Sequence, residues 1–137
     1  MRTVSALLLS VALSACGTGG ADDNDADTAV VETPAAVGAF SGKETYAKCV
    51  ACHTIDKGGR NSIGPNMHGI VGRAVASVEG FNYSASMKAK GGVWDEAALD
   101  AYLENPRKNV VGTKMSFAGI SNADERKALI EYLKAQK

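Results

Sequence analysis

Two thiols three residues apart with an imidazole directly after them, Cys49-Val50-Ala51-Cys52-His53, leave few chemistries open to the rest of this chain. The thiols can add to the two vinyl groups on one edge of a porphyrin, and the histidine is then held where a ring nitrogen reaches the iron. A dithiol redox pair of this spacing needs a βαβ surround, and the flanking residues read as helix and loop. A zinc site needs a fourth ligand, usually from a second Cys or His pair, and His68 is the one further histidine. The pattern predicts one covalent haem c held through Cys49 and Cys52, with His53 as an iron ligand.

A chain of 137 residues has room for one domain, with part of its length read as processing signal and tether. Its three cysteines, at 16, 49 and 52, are too few for a disulfide framework and split into a lone residue and a close pair. The formal net charge of zero hides an uneven distribution. Asp22, Asp23, Asp25, Asp27 and Glu32 precede any base but Arg2, leaving fourteen bases against ten acids from residue 34 onward. A mildly basic domain fits an acidic protein partner and falls short of the Lys and Arg density of a nucleic-acid binder.

Residues 1–15 read as a signal peptide, with Arg2 as its positive start and an apolar stretch of ten residues from Val4 to Leu13. As a helix that stretch is about 15 Å long, roughly half a bilayer, too short for an anchor. It runs into Leu13-Ser14-Ala15-Cys16, which resembles the lipobox of bacterial lipoproteins and so implies lipidation of Cys16. Residues 16–38 read as that cysteine followed by a flexible acidic linker without the apolar surface to fold, spanning roughly 25 Å. Residues 39–137 form the expected domain, on the periplasmic side of a bacterial membrane.

Within the domain an opening helix is predicted over Ser41–Cys52 and a long Gly-, Ser- and Asn-rich loop over Asn61–Gly92. A helix over Trp94–Leu103 ends at Asn105-Pro106. A last helix starts at Ser121 or Asn122, with Ser121 and Asp124 resembling a capping box, and buries Leu129, Ile130, Tyr132 and Leu133. Only short β possibilities appear. So long a loop needs something to wrap around. The residues leave the sixth iron ligand open among Met67, Met87, Met115 and His68.

From Gly42 to Leu133 the sequence resembles class I cytochrome c of the mitochondrial and alphaproteobacterial branch. The likeness runs through Cys49 to Thr54, Gly64-Pro65-Asn66-Met67-His68-Gly69, Gly72-Arg73, Gly80-Phe81-Asn82-Tyr83 and Trp94. It continues through Tyr102-Leu103-Glu104-Asn105-Pro106, Gly112 to Ile120 and Leu129 to Leu133. The resemblance implies an all-α fold, helices and long loops wrapped around one haem, and a monomeric one-electron carrier rather than an enzyme. It names Met115 as sixth ligand and the Pro65 carbonyl as acceptor for His53. It sets Tyr102 and Thr113 near the methionine sulfur, Arg73, Tyr83 and Trp94 as donors to a buried propionate, and Phe117 at the exposed haem edge. His68 would hydrogen-bond loop to loop, and Gly42 and Tyr46 would meet Leu129 and Tyr132.

Met87 departs from the asparagine common at its position, Val111 from a proline and Asn109 from an aromatic. The implied partners are membrane redox complexes with acidic docking surfaces, such as quinol–cytochrome c reductase and a terminal oxidase, met by Lys48, Lys57, Lys88, Lys108 and Lys114. The rival reading is a haem enzyme or sensor, peroxidase-like or gas-binding, with a labile Met115.

Overall fold

Each helix of the domain begins on a short polar side chain that takes up its free amides. In the computed structural model, which describes residues 40–137, these helices are α1 (Gly42–Tyr46), α2 (Ala85–Lys90), α3 (Glu96–Glu104), α4 (Pro106–Asn109) and α5 (Ala123–Lys134). Ser41, Ser84, Asp95, Asn105 and Asn122 cap them in that order. The signal peptide, Cys16 and the acidic linker lie outside the described residues.

The opening helix is shorter than the predicted Ser41–Cys52. After Tyr46 the chain tightens, with the Cys49 amide donating to the Tyr46 carbonyl at 2.8 Å and the Cys52 amide to that of Cys49 at 3.0 Å. Bonds of this i to i+3 type bring residues three apart onto one side, which suits the two cysteines. Trp94 is not in α3, because its main chain is spent elsewhere: its amide donates to Arg73 and its carbonyl accepts from Gly72, both at 2.8 Å, beside an isolated bridge between Ala74 and Val93. Asp95 is therefore the cap, accepting from the Ala98 amide at 2.7 Å. Pro106 does more than stop α3. It opens α4 at the one helical position where its missing N–H costs nothing. At α5 the cap is Asn122, whose Oδ1 accepts from Asp124 and Glu125 at 2.9 and 3.0 Å, so the Ser121–Asp124 box does not form.

The core lies where α5 packs against α1 and α3. Leu129 and Leu133 are almost fully buried among Tyr46, Leu99, Tyr102, Leu103 and Ile120, while Tyr132 is half-buried and stacks at 5.5 Å on Tyr46. Gly42 sits where α1 crosses α5. A Cβ there would overlap the Ala128 carbonyl oxygen and stand 2.7 Å from Tyr132 Cβ. Gly42→Ala thus sets a helix-propensity gain of up to about 1 kcal/mol against overpacking on rigid backbone, about 3 kcal/mol. Overpacking wins, and denaturant titration should show a net loss of about 2 kcal/mol; a stabilised variant would contradict this crossing. No helix among the described residues is long and apolar enough to cross a membrane.

Candidate functional site

Between these helices and the long loop lies a cavity of about 420 Å³. The turns after α1 bring Cys49, Cys52 and His53 to it, the following loop Pro65 and Arg73, and the segment after α4 Thr113, Met115 and Phe117. Tyr102 enters from α3, with Tyr83 and Trp94 alongside, so the residues expected at the site share one space. Leu129 and Leu133 line it from α5, with Ile70 and Leu103 adding further apolar wall.

His53 is fixed on two sides. A Cβ on Gly64 would run into the imidazole, standing 2.6 Å from both ring nitrogens, so the ring lies flat against that glycine. Nδ1 is 2.7 Å from the Pro65 carbonyl oxygen, and because a carbonyl only accepts, Nδ1 carries the hydrogen. Nε2 keeps its lone pair. Burial pushes the His53 pKa down, partly offset by the Pro65 bond, which favours the neutral, metal-binding form. Burial also pushes the Cys49 thiol up to about 11 against the opposing pull of Lys48, so the thiol stays protonated.

On another wall, the Tyr102 hydroxyl is 3.0 Å from Thr113 Oγ1, which also accepts from the Met115 amide at 3.3 Å. Burial raises the Tyr102 pKa, and the Thr113 bond works against that rise, so the phenol remains neutral. Arg73 donates to the main-chain oxygens of His68 at 3.1 Å and Asn66 at 2.9 Å. Tyr83 packs edge-on against Phe81 at 4.7 Å, and Trp94 lies 5.0 Å from Tyr102.

Some contacts were not legible beforehand. Asn66 is buried, receives the His68 amide and donates to Thr54 Oγ1 at 2.7 Å and the Asp56 carbonyl at 3.1 Å, clasping the turn after His53 to the Pro65 loop. A lone asparagine between proline and methionine announces none of this. The loop contacts of His68 run through its main-chain amide, which donates to Asn66, and its carbonyl, which accepts from Arg73. Of the five expected docking lysines, Lys48 is ion-paired with Glu125 and Lys114 donates to the Asn82 carbonyl.

Two thiols and a neutral imidazole with Nε2 free, a thioether, and apolar walls are a donor set that fits a haem. Known proteins agree. The cytochrome c family model matches residues 39–137. The cytochrome c of Gibberella zeae is 49% identical over 87 residues, covering 64% of this chain and 82% of that protein. The cytochrome c-type cyt cy of Rhodobacter capsulatus is 49% identical over 96 residues, 69% of this chain but 47% of that protein, so the chain spans about half its length. Among solved structures, cytochrome cH from Methylobacterium extorquens superposes with a TM-score of 0.64 at 39% identity, covering 69% of this chain and 94% of that one. With family, fold and cavity in agreement, the chain belongs to the class I cytochrome c family, mono-haem electron carriers that bind one haem c covalently through cysteines, supplied here by Cys49 and Cys52.

Proposed function

We propose that this cytochrome passes single electrons between membrane respiratory oxidoreductases, such as a quinol–cytochrome c reductase and a terminal oxidase. It does so on the periplasmic side of a bacterial membrane, held there by lipid on Cys16. The observation that carries the reading is the Pro65 bond to His53, which leaves Nε2 as a free donor on a cavity that also holds a thioether. His53 Nε2 and Met115 sulfur are the two iron ligands. When bound, the haem supplies a one-electron couple at its iron. The protein's residues keep the surroundings of that couple unchanged through the electron's passage.

Pro65 fixes the imidazole tautomer and makes His53 a better donor. Tyr102 and Thr113 restrain the Met115 main chain. Arg73, Tyr83 and Trp94 offer N–H and O–H groups to a propionate whose charge is otherwise costly to bury. Phe117 flanks the edge where electrons leave. The sulfur ligand favours reduced iron and raises the potential relative to a second histidine.

Docking then rests chiefly on Lys57, Lys88 and Lys108, which have no ion-pair partner among the described residues. The test is oxidation of the reduced protein by membranes carrying its oxidase. Steered encounter is screened over about 10 Å at 0.1 M salt, so the rate should fall about tenfold between low and moderately high ionic strength. A rate indifferent to salt would remove the docking role of these lysines.

A further inference from the structure

The methionines that line the cavity are not equivalent. Met67 belongs to the His53 side, since its amide donates to the Thr54 carbonyl at 2.8 Å. Met87 belongs to the Met115 side. It stands in the first turn of α2, 7% exposed, with its amide donating to Ser84 Oγ at 3.1 Å. The start of α2 abuts the turn that leads to Thr113, for a Cβ on Gly112 would stand 3.3 Å from Ser86 Oγ. Met87, Tyr102, Thr113 and Met115 all line the cavity, so a thioether from α2 joins the hydroxyl pair on this part of its wall. Few polar groups remain free there. Tyr102 and Thr113 bond each other at 3.0 Å, and Thr113 Oγ1 also accepts from the Met115 amide. Ser84 Oγ is taken up by the Met87 amide and by Ser86 Oγ at 3.0 Å. No buried side-chain nitrogen or oxygen among the described residues lacks a partner. A hydroxyl pair sharing a single bond leaves one hydrogen unspent, short of the roughly two to four partners that hold a buried water.

We propose that Met87 is a specificity-determining residue: its thioether keeps the Met115 side of the cavity dry, so that polar ligands find no partner beside the iron. An amide at this position would bring two donors and an acceptor to the same corner, enough with the unspent hydroxyl hydrogen to hold a water. A thioether brings only a weak acceptor. Dryness serves a one-electron carrier in two ways. Few solvent dipoles are present to reorient when the iron changes charge, and a hydrated ligand must shed its water without replacement bonds on entry. The proposal deepens the electron-carrier reading and rests on Met115 being the sixth ligand.

The test compares substitutions of Met87 in the haem protein by two measurements. One is the rate at which imidazole displaces the native ligand in the oxidised protein at about pH 8, where the probe is largely uncharged. The other is exchange of the Tyr102 hydroxyl proton with solvent, followed by NMR in the reduced protein. Met87→Gln nearly keeps the volume and adds an amide; it should speed imidazole binding about fivefold, the order of one hydrogen bond, and quicken Tyr102 exchange severalfold. Met87→Asn, smaller but equally polar, should do the same. Met87→Leu keeps the volume without polarity and should stay within about twofold of the parent on both rates. Met87→Ala removes more volume than either amide yet leaves an apolar hollow, which stays dry, so its Tyr102 exchange should match the parent. Parent-like Tyr102 exchange in Met87→Gln and Met87→Asn would overturn the proposal. So would equal quickening in Met87→Ala, which would make Met87 a packing residue only. If Met87→Leu lost the parent's iron spectrum, Met87 itself would be the ligand and the proposal would fall with the Met115 assignment. With that spectrum intact, a failure in Tyr102 exchange falls on the dry corner alone.

Discussion

Met115→Ala is expected to convert a closed iron into an open one. The parent protein should be low-spin in both oxidation states and form no carbonyl complex at neutral pH. The variant should become high-spin when reduced and take up carbon monoxide stoichiometrically. Removing the soft sulfur donor should also lower the reduction potential. A cost in stability accompanies this: Met115 is half-buried, so truncation to alanine should cost about 2 kcal/mol, the low end for a core methionine. The result bears directly on function, since a parent that itself bound carbon monoxide readily would favour the gas-binding or peroxidase-like reading. An unchanged spectrum in Met115→Ala would transfer the ligand role to another sulfur, and Met67 and Met87 both line the same cavity.

Arg126→Met is expected to be among the most destabilising single changes on α5. The guanidinium is buried, with 6% of the residue exposed, and spends its donors on three residues. Nε and Nη2 meet the two Asp100 carboxylate oxygens on α3 at 2.7 and 3.3 Å, while Nη1 donates to the carbonyls of Ile120 and Ser121 at 2.9 and 3.0 Å. Methionine fills the space and leaves those two carbonyls without their donor. Breaking a buried pair costs about 3–5 kcal/mol, and the lower figure applies because the Asp100 side chain is 45% exposed and can be rehydrated. For a domain of this size, about 3 kcal/mol corresponds to a drop of roughly 12–24 °C in Tm. Asp100→Asn keeps the carbonyl bonds and should cost less than half as much. A loss under about 1 kcal/mol in Arg126→Met would show that α5 does not depend on this hub. Because Ile120 and Ser121 end the segment carrying Met115, the variant should also bind imidazole faster.

Arg126 shows what the sequence offered and what it concealed. It stands in register with Leu129, Ile130 and Leu133, at the i, i+3, i+4 and i+7 positions of the buried stripe, where a charged residue needs a partner. The stripe was legible; the carboxylate on α3 and the two carbonyls were not, because helix periodicity says nothing about which neighbour arrives. The haem-binding residues were legible for the opposite reason. Bond formation dictates the spacing of Cys49, Cys52 and His53, so local sequence carries the chemistry. Helix ends were misread where tertiary bonds compete with propensity. Trp94 looks helical by its neighbours, yet its amide and carbonyl go to Arg73 and Gly72. Lysine side chains were the least predictable. Lys48 and Lys114 look like any solvated cation in sequence, and only the arrival of Glu125 and the Asn82 carbonyl distinguishes them from Lys57.

The crossing of α1 on α5 has a bearing on biosynthesis. Both cysteines leave the ribosome long before residues 123–134 exist, and until those residues arrive Gly42 and Tyr46 have no surface to pack on. The cavity also lacks Leu129 and Leu133 in that interval. Contacts between segments this far apart in sequence carry a loop-closure entropy that local contacts do not. Once closed, the seam leaves both cysteines half-buried. The thiols are therefore most open while the two ends of the domain are still apart, which favours attachment before the crossing is made.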